Sequence, residues 1–221
     1  MESDKPRADR RTVALSKSQI VDAAVRMLDA GGVRALTFRD LAAQLSTGAG
    51  ALYHHVSSKD ELLEAAASSV MESVLVDADR DGPGQGVRTV MMGVFDTIAA
   101  HPWVGTQLAA APWQPAVLLL FERVGSELDE LGAPEAAQFD GASVLVQYLV
   151  GVASQFDAAT RLTGMEMGRP AFLKAATSDA RQTAGSRLSF LDRISRRLAE
   201  HDDRDQFRAG VEIILAGIIS T

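Results

Sequence analysis

The 221-residue chain contains no cysteine, which excludes disulfides and thiol chemistry and fits a reducing compartment. Histidine is nearly as scarce. Of the four, His54 and His55 are neighbours and His101 has no second histidine at ligand spacing, so a zinc site lacks ligands. There is no Gly-x-Ser-x-Gly elbow and no phosphate-cradling glycine loop, and the paired acids Asp202-Asp203 fall in a charged connection where they read as solvated. No catalytic residue, metal or other cofactor is therefore expected, and the chain does not read as an enzyme. No apolar run is long enough to span a bilayer, and the polar stretch from Met1 to Lys17 lacks a signal-peptide core. A soluble cytoplasmic protein without a membrane partner is the expectation.

The net charge is −7, at first sight wrong for a partner of nucleic acid. Its distribution changes the reading. Residues 1–63 hold nine Lys/Arg against eight Asp/Glu, whereas the remainder holds thirteen against twenty-one. Lys5, Arg7, Arg10, Arg11 and Lys17 are opposed within their run only by Asp9. Residues 1–16 thus read either as an arm that follows a phosphate backbone or enters a minor groove, or as a solubilising tail.

The most informative segment is Leu36 to Val56. Phe38, Leu41, Ala42 and Leu45 share one helical face behind Thr37 as N-cap. Ser46, Thr47 and Gly48 break that pattern, and Leu52 and Val56 give a second short helix its buried side. Upstream, Ser18 is a candidate cap for a helix with Ile20, Ala24, Met27 and Leu28 on one stripe, ending at Gly31-Gly32. Downstream, Ser57 or Ser58 precedes Lys59-Asp60-Glu61, and Leu62, Leu63, Ala66 and Val70 continue an apolar face to about Asp79. Two short helices and a tight turn, backed by a third helix, form a helix-turn-helix, the geometry that lays a helix in the DNA major groove.

In order and spacing, Leu52-Tyr53, His55-Val56, Lys59-Asp60 and Leu62-Leu63 resemble the DNA-binding domain of the TetR family of bacterial transcriptional regulators. The resemblance covers about the first 65 residues. Ser46 and Thr47 depart from the family's Gly-Val turn, and Gly48 stands in place of its Ser cap. The resemblance implies that Arg39 meets a phosphate or a guanine edge, that Tyr53 and His55 contact phosphates, and that Ala49, Gly50 and Ala51 occupy the base-facing start of the recognition helix. These three have little hydrogen-bonding reach, leaving thymine methyls as their targets and Thr47, His54 and Arg39 as polar readers; the other reading is recognition through DNA shape. Lys59, opening the next helix, can hold a phosphate together with backbone N–H groups. Thr37 completes the DNA-facing set.

From Gly82 to Thr221, Gly and Pro punctuate helical stretches near 85–100, 103–110, 113–131, 135–160, 170–176, 185–200 and 204–220, with no strand alternation. Asp81-Gly82-Pro83-Gly84 reads as a connector; Thr163 to Pro170 and Thr177 to Ser186 read as mobile loops. Aromatic and amide residues between Phe95 and Phe156 could line an effector pocket, with Trp103, Gln107, Trp113, Phe121, Gln147 and Phe156 as candidate lining, although such stripes are more often core. Two helices with small residues beside apolar stripes, Leu145, Leu149 and Val152 on one and Phe207, Val211, Ile214 and Ile218 on the other, are candidate dimer surfaces, the other reading being core helices within one chain. The last helix resembles the closing helix of tetracycline-repressor-like domains, which implies a four-helix interface between two copies.

The expected architecture is all-α: an arm over 1–16, a three-helix DNA-binding domain over 17–63 with a linker helix to about 79, and a helical effector-binding and dimerisation domain over 80–221. The expected function is a homodimeric DNA-binding regulator, a repressor released from an inverted-repeat operator by a small apolar or amphipathic molecule. An activator or effector-independent regulator on the same fold is the nearest alternative, and a helical carrier or enzyme the more distant one.

Overall fold

The computed structural model describes residues 15–80, 86–163, 169–184 and 189–220, and every described regular element is a helix. The chain divides into two compact units, Met1–Leu62 and Leu63–Thr221.

The first unit is built on α1 (Lys17–Ala35), α2 (Phe38–Gln44), α3 (Ala49–Tyr53) and the start of α4 (Lys59–Arg80). Its core is Ile20, Ala24, Leu28, Leu36, Leu41, Leu52 and Val56, all buried. The cap of α1 is Ser16, not Ser18. Ser16 Oγ accepts from the Gln19 backbone N–H at 3.2 Å, and Gln19 Oε1 accepts from the Ser16 backbone N–H at 3.0 Å. The reason is reciprocity: Gln19 sits three residues after Ser16, whereas Val21, three after Ser18, has nothing to return. The chain leaves its helical path at Gly32, whose φ of 65° suits glycine. The expected basic arm lies, apart from Leu15 and Ser16, outside the described residues, as do Asp81 to Gly84.

The second unit comprises the rest of α4, α5 (Gly86–Ala100), α6 (Pro102–Ala110), α7 (Pro115–Glu130), α8 (Glu135–Thr163), α9 (Arg169–Ala184), α10 (Ser189–Glu200) and α11 (Asp203–Ile219). Helix α8 is its axis, packed against α5, α6, α7 and α11. Helix α6 approaches α8 so closely that a Cβ on Gly105 would strike the Ala153 backbone carbonyl, so only glycine fits there. Phe95, Phe207 and Tyr148 form a continuous stack, with centroids 4.6 and 5.2 Å apart. Arg88 and Arg204 of α5 and α11 reach carboxylates across the same contact: Arg88 grips Glu212 at 2.6 and 2.8 Å, and Arg204 grips Asp96 at 2.7 and 2.9 Å.

One expected loop is helix instead. Thr177 to Ala184 belongs to α9, because the run contains neither Gly nor Pro until Gly185 and its Ala, Arg and Gln residues are compatible with a helix.

Candidate nucleic-acid interface

Helix α2 starts where Thr37 Oγ1 accepts from the Asp40 backbone N–H at 3.2 Å and donates to Asp40 Oδ2 at 2.6 Å. The Thr37 hydroxyl is thus committed to the cap. Arg39, one residue into the helix, is exposed.

At the other end of α2 the backbone makes two crossed bonds. Ser46 N–H donates to Ala43 O at 3.1 Å and Thr47 N–H to Ala42 O at 2.9 Å, the Schellman pattern that reverses a chain at a helix end. That pattern needs a left-handed residue, usually glycine, and here Ser46 takes it with φ 51°. Gly48 follows as the N-cap of α3, with extended backbone and no side-chain cap. Ser46, Thr47 and Gly48 thus reverse the chain between α2 and α3, at a cost in local strain at Ser46 and a missing side-chain cap at Gly48.

Helix α3 is a single five-residue helix, presenting Ala49 and Gly50 to solvent with Ala51 half-buried, while Leu52 anchors it from below. A Cβ on Gly50 would meet nothing within 4 Å, so its smallness leaves the backbone approachable rather than relieving a clash. Tyr53 is 56% exposed, and its ring lies parallel to Phe38. His54 caps the end of α3 and is exposed; His55 is half-buried and its backbone N–H donates to Leu52 O at 2.9 Å.

Lys59 is partly occupied. Its Nζ donates to the Val33 carbonyl at 2.7 Å, fastening the start of α4 to the segment after Gly32. Ser58 is the residue that caps α4, its Oγ accepting from the Glu61 N–H at 3.1 Å. Glu61 reaches back to the Ser57 N–H at 2.8 Å and Oγ at 2.7 Å, and across to Lys17 Nζ at 3.0 Å. Those donors, the Ser57 backbone first, hold the Glu61 carboxyl down from 4.5 to about 2. Sequence reasoning missed this network, although the Ser-x-x-Glu spacing at Ser58 was a signal for it.

The structure does not gather the effector candidates around one cavity. Trp103 is buried in the core, Gln107 is half-buried, and Trp113 is 82% exposed in the turn before Pro115. Gln147 is exposed because Ala142, Leu145, Val146, Leu149 and Ala153 already claim the inward face of α8. Phe121 lines an outer groove of about 450 Å³ with Glu122, Asp129, Glu135 and Gln138. The Phe156 side chain lies outside the described residues. Buried polar groups occur at the two ends of α7: its N-cap Gln114, whose Nε2 donates to Gln107 O at 3.0 Å, and Glu127, 3% exposed and 2.6 Å from Arg123. Gln114 Oε1 and Glu127 Oε2 are buried without a hydrogen-bond partner.

The candidate dimer residues divide similarly. Leu145, Leu149, Phe207, Val211 and Ile218 are buried within the chain, and Val152 and Ile214 are half-buried. The large apolar residues that α8 and α11 leave in solvent, among the described residues, are Phe139, Val144, Ile213 and Ile219, and a groove of about 450 Å³ between the helices runs past Ala137, Gly141, Val144, Ile213 and Gly217. The apolar stripe read from the sequence is the inward one, because a core face and an interface face on the same helix have the same period.

Among the described residues no helix is long and apolar enough to cross a membrane, and no cluster of His, Cys, Asp or Glu could hold a metal ion.

Residues 20–66 match the family described as bacterial regulatory proteins, tetR family. A solved transcriptional regulator of Streptomyces coelicolor, SCO7222, described as a TetR, is 38% identical with a TM-score of 0.76, covering 93% of this chain and 98% of that one. ActR of Streptomyces coelicolor, solved in complex with actinorhodin, shares the fold at 23% identity and a TM-score of 0.71, covering 93% of this chain and 97% of that one. Among curated relatives, an HTH-type transcriptional regulator of Saccharopolyspora erythraea is 31% identical over 68% of this chain and 65% of its own length. The HTH-type transcriptional repressor DrrR1 of Streptomyces coeruleorubidus is 30% identical over 63% of this chain and 53% of its own. The match thus spans less than two thirds of either curated relative.

Proposed function

The chain belongs to the TetR family of bacterial transcriptional regulators, proteins that bind DNA rather than catalyse reactions, and on that premise we propose that it is a homodimeric repressor. It binds an inverted-repeat operator and is released when a small apolar or amphipathic molecule enters the second unit. Residues 1–16 serve as an arm and 17–63 as the reading head, while 80–221 bind the effector and the second copy. The observation that carries this reading is the exposed edge of Arg39, Ala49, Gly50, Tyr53 and His54, held on a frame of the Thr37 cap, the Schellman turn and the Phe38 stack.

In this reading Ala49, Gly50 and Ala51 admit the backbone close to the bases and meet thymine methyls, while Thr47, His54 and Arg39 supply polar discrimination. Tyr53, His55 and the start of α4 at Lys59 hold phosphates and fix the register. One such helix reads only a few base pairs. Two related by a dyad read a palindrome and gain affinity through effective concentration, which is why the second copy matters.

Repression is supported by the likeness to DrrR1, and a small-molecule effector by the likeness to ActR, which holds actinorhodin. Release follows from population shift: the effector binds better to a form whose two reading heads are wrongly spaced, and that differential affinity limits the response.

Selection from a random DNA pool at stated salt, followed by sequencing of the bound fraction, tests the reading, because purely electrostatic binding is blind to sequence. An enriched inverted repeat is the expected result. A folded dimer that enriches nothing, with or without candidate ligands, overturns it.

A further inference from the structure

Helix α10 is a basic helix in an acidic protein. It holds three arginines, Arg193, Arg196 and Arg197, against Asp192 and Glu200, in a chain of net charge −7. Leu191, Ile194 and Leu198 lie half-buried on α10, which packs on α9. A different stripe faces solvent: Phe190, Arg193 and Arg197, at the i, i+3, i+7 positions of one helical edge. Phe190 is 63% exposed, with the Arg193 guanidinium 5.6 Å from its ring centre.

The outer face of α7 has the opposite character. Trp113, Leu118 and Leu119 are exposed at its start. The strip continues into the groove of Phe121, Glu122, Asp129, Glu135 and Gln138, with Phe139, 70% exposed, edge-on to Phe121 at 5.9 Å. Glu122, Asp129 and Glu135 line that groove, whereas Glu127 is buried against Arg123. Large apolar side chains rimmed by one sign of charge mark a surface made to be covered.

We propose that α10 of one protomer docks on this face of α7 in its partner, setting Phe190 among Leu118 and Phe121 and aligning Arg193 and Arg197 with Glu122 and Asp129. The contact rests on the homodimer proposed above and extends it. Two observations favour a second copy as the occupant. The charges are complementary, basic along the Arg193–Arg197 edge of α10 and acidic along the Glu122–Asp129 groove of α7. The acidic groove also adjoins the apolar groove between α8 and α11, since Glu135 and Gln138 line the one while Ala136 and Ala137 line the other on the same turns of α8. Two-fold symmetry then makes the contact twice, each arm embracing the other copy.

The absence of cysteine makes the test direct, because any disulfide reports an introduced pair. Full-length single variants Leu118→Cys or Glu122→Cys are mixed with Phe190→Cys or Arg197→Cys, allowed to exchange subunits, and oxidised mildly; Glu72→Cys on α4 serves as the control partner. The expected result is a disulfide-linked heterodimer in at least one of the four pairings, well above the control. In parallel, Arg193→Glu with Arg197→Glu should raise the dimer dissociation constant on the order of tenfold at low salt, and adding Glu122→Arg and Asp129→Arg should restore it. Circular dichroism verifies that each variant is folded.

A dimer by sedimentation that forms none of these cross-links and shows no charge-swap rescue overturns the arm contact and leaves the homodimer standing, with the α7 face open to another partner. A cross-link inside one chain when both cysteines share it, without the mixed species, overturns it too. A chain that sediments as a monomer overturns the contact and the homodimer together.

Discussion

The ring of Tyr53 lies flat on that of Phe38, centroids 4.7 Å apart and planes within 3°, joining the last residue of α3 to the first of α2. One face of Tyr53 therefore joins α2 and α3, while the exposed side chain carries the hydroxyl proposed above to meet a phosphate. The two roles separate by substitution. Tyr53→Phe keeps the stack and should weaken operator binding severalfold, by about 1 kcal/mol, through loss of one hydrogen bond. Tyr53→Ala should lose that and about 0.5–1.5 kcal/mol of aromatic pairing as well. Anisotropy titrations on the selected operator, with thermal melts alongside, check both; equal melting of the two variants would show that the stack contributes nothing.

Ser46 and Gly48 are each the less suitable residue for their backbone. Ser46→Gly should stabilise the protein by about 1 kcal/mol, because glycine takes φ 51° without the Cβ clash that serine suffers there. Gly48→Ser should add a few tenths of a kcal/mol by supplying the absent cap, and the space around its Cβ is open. Denaturant midpoints read the gain. If the double variant is no more stable than wild type, the turn is not strained.

Most of the first unit was legible in the sequence because its signals are local. The Thr37 cap, the break at Ser46 to Gly48 and the helix from Lys59 each depend on residues within four positions of one another. The cap of α1 was misplaced by two residues because two serines competed and Gln19 decided between them. In the second unit the helices were legible but their faces were not. Leu149 and Ile213 are both apolar residues on long helices, and only the fold shows that the first is covered and the second is 74% exposed. Gln147 and Trp113 likewise have pocket-like chemistry and surface positions. The α9 extension was hidden because polar composition resembles a loop until the absence of Gly and Pro is weighed.

Glu61 makes the first unit sensitive to acid in a defined window. Its carboxyl ionises at about 2 when folded and near 4.5 otherwise, so its contribution is complete above about 4.5 and is lost as pH falls through about 2. Wild type should exceed Glu61→Gln in stability at neutral pH, and the gap should close between these values. Urea titrations of both proteins across the range test this, and a gap independent of pH would sink the assignment.

Arg123 and Glu127 form a mostly buried pair on α7, with Glu127 the deeper partner. Arg123→Met leaves a carboxylate buried beside apolar side chains and should cost about 3–5 kcal/mol, whereas replacing both with Met and Leu should come close to neutral. A double variant as unstable as the single one would mean that Glu127 is held by other groups.

The interface between copies is best tested where apolar exposure is greatest. Ile213 on α11 faces solvent in the isolated chain, beside the small residue Gly217 that lets another helix approach. Leu149 on α8 is covered by its own chain. Ile213→Glu should therefore yield a folded monomer with unchanged helicity, whose operator affinity falls by orders of magnitude because only one reading head engages. Leu149→Glu should instead unfold the protein, since it places a charge in the core. Sedimentation equilibrium and circular dichroism on the two variants distinguish the faces. A dimer that survives Ile213→Glu would move the interface away from α11 and remove the support that its exposed edge gives to a four-helix contact.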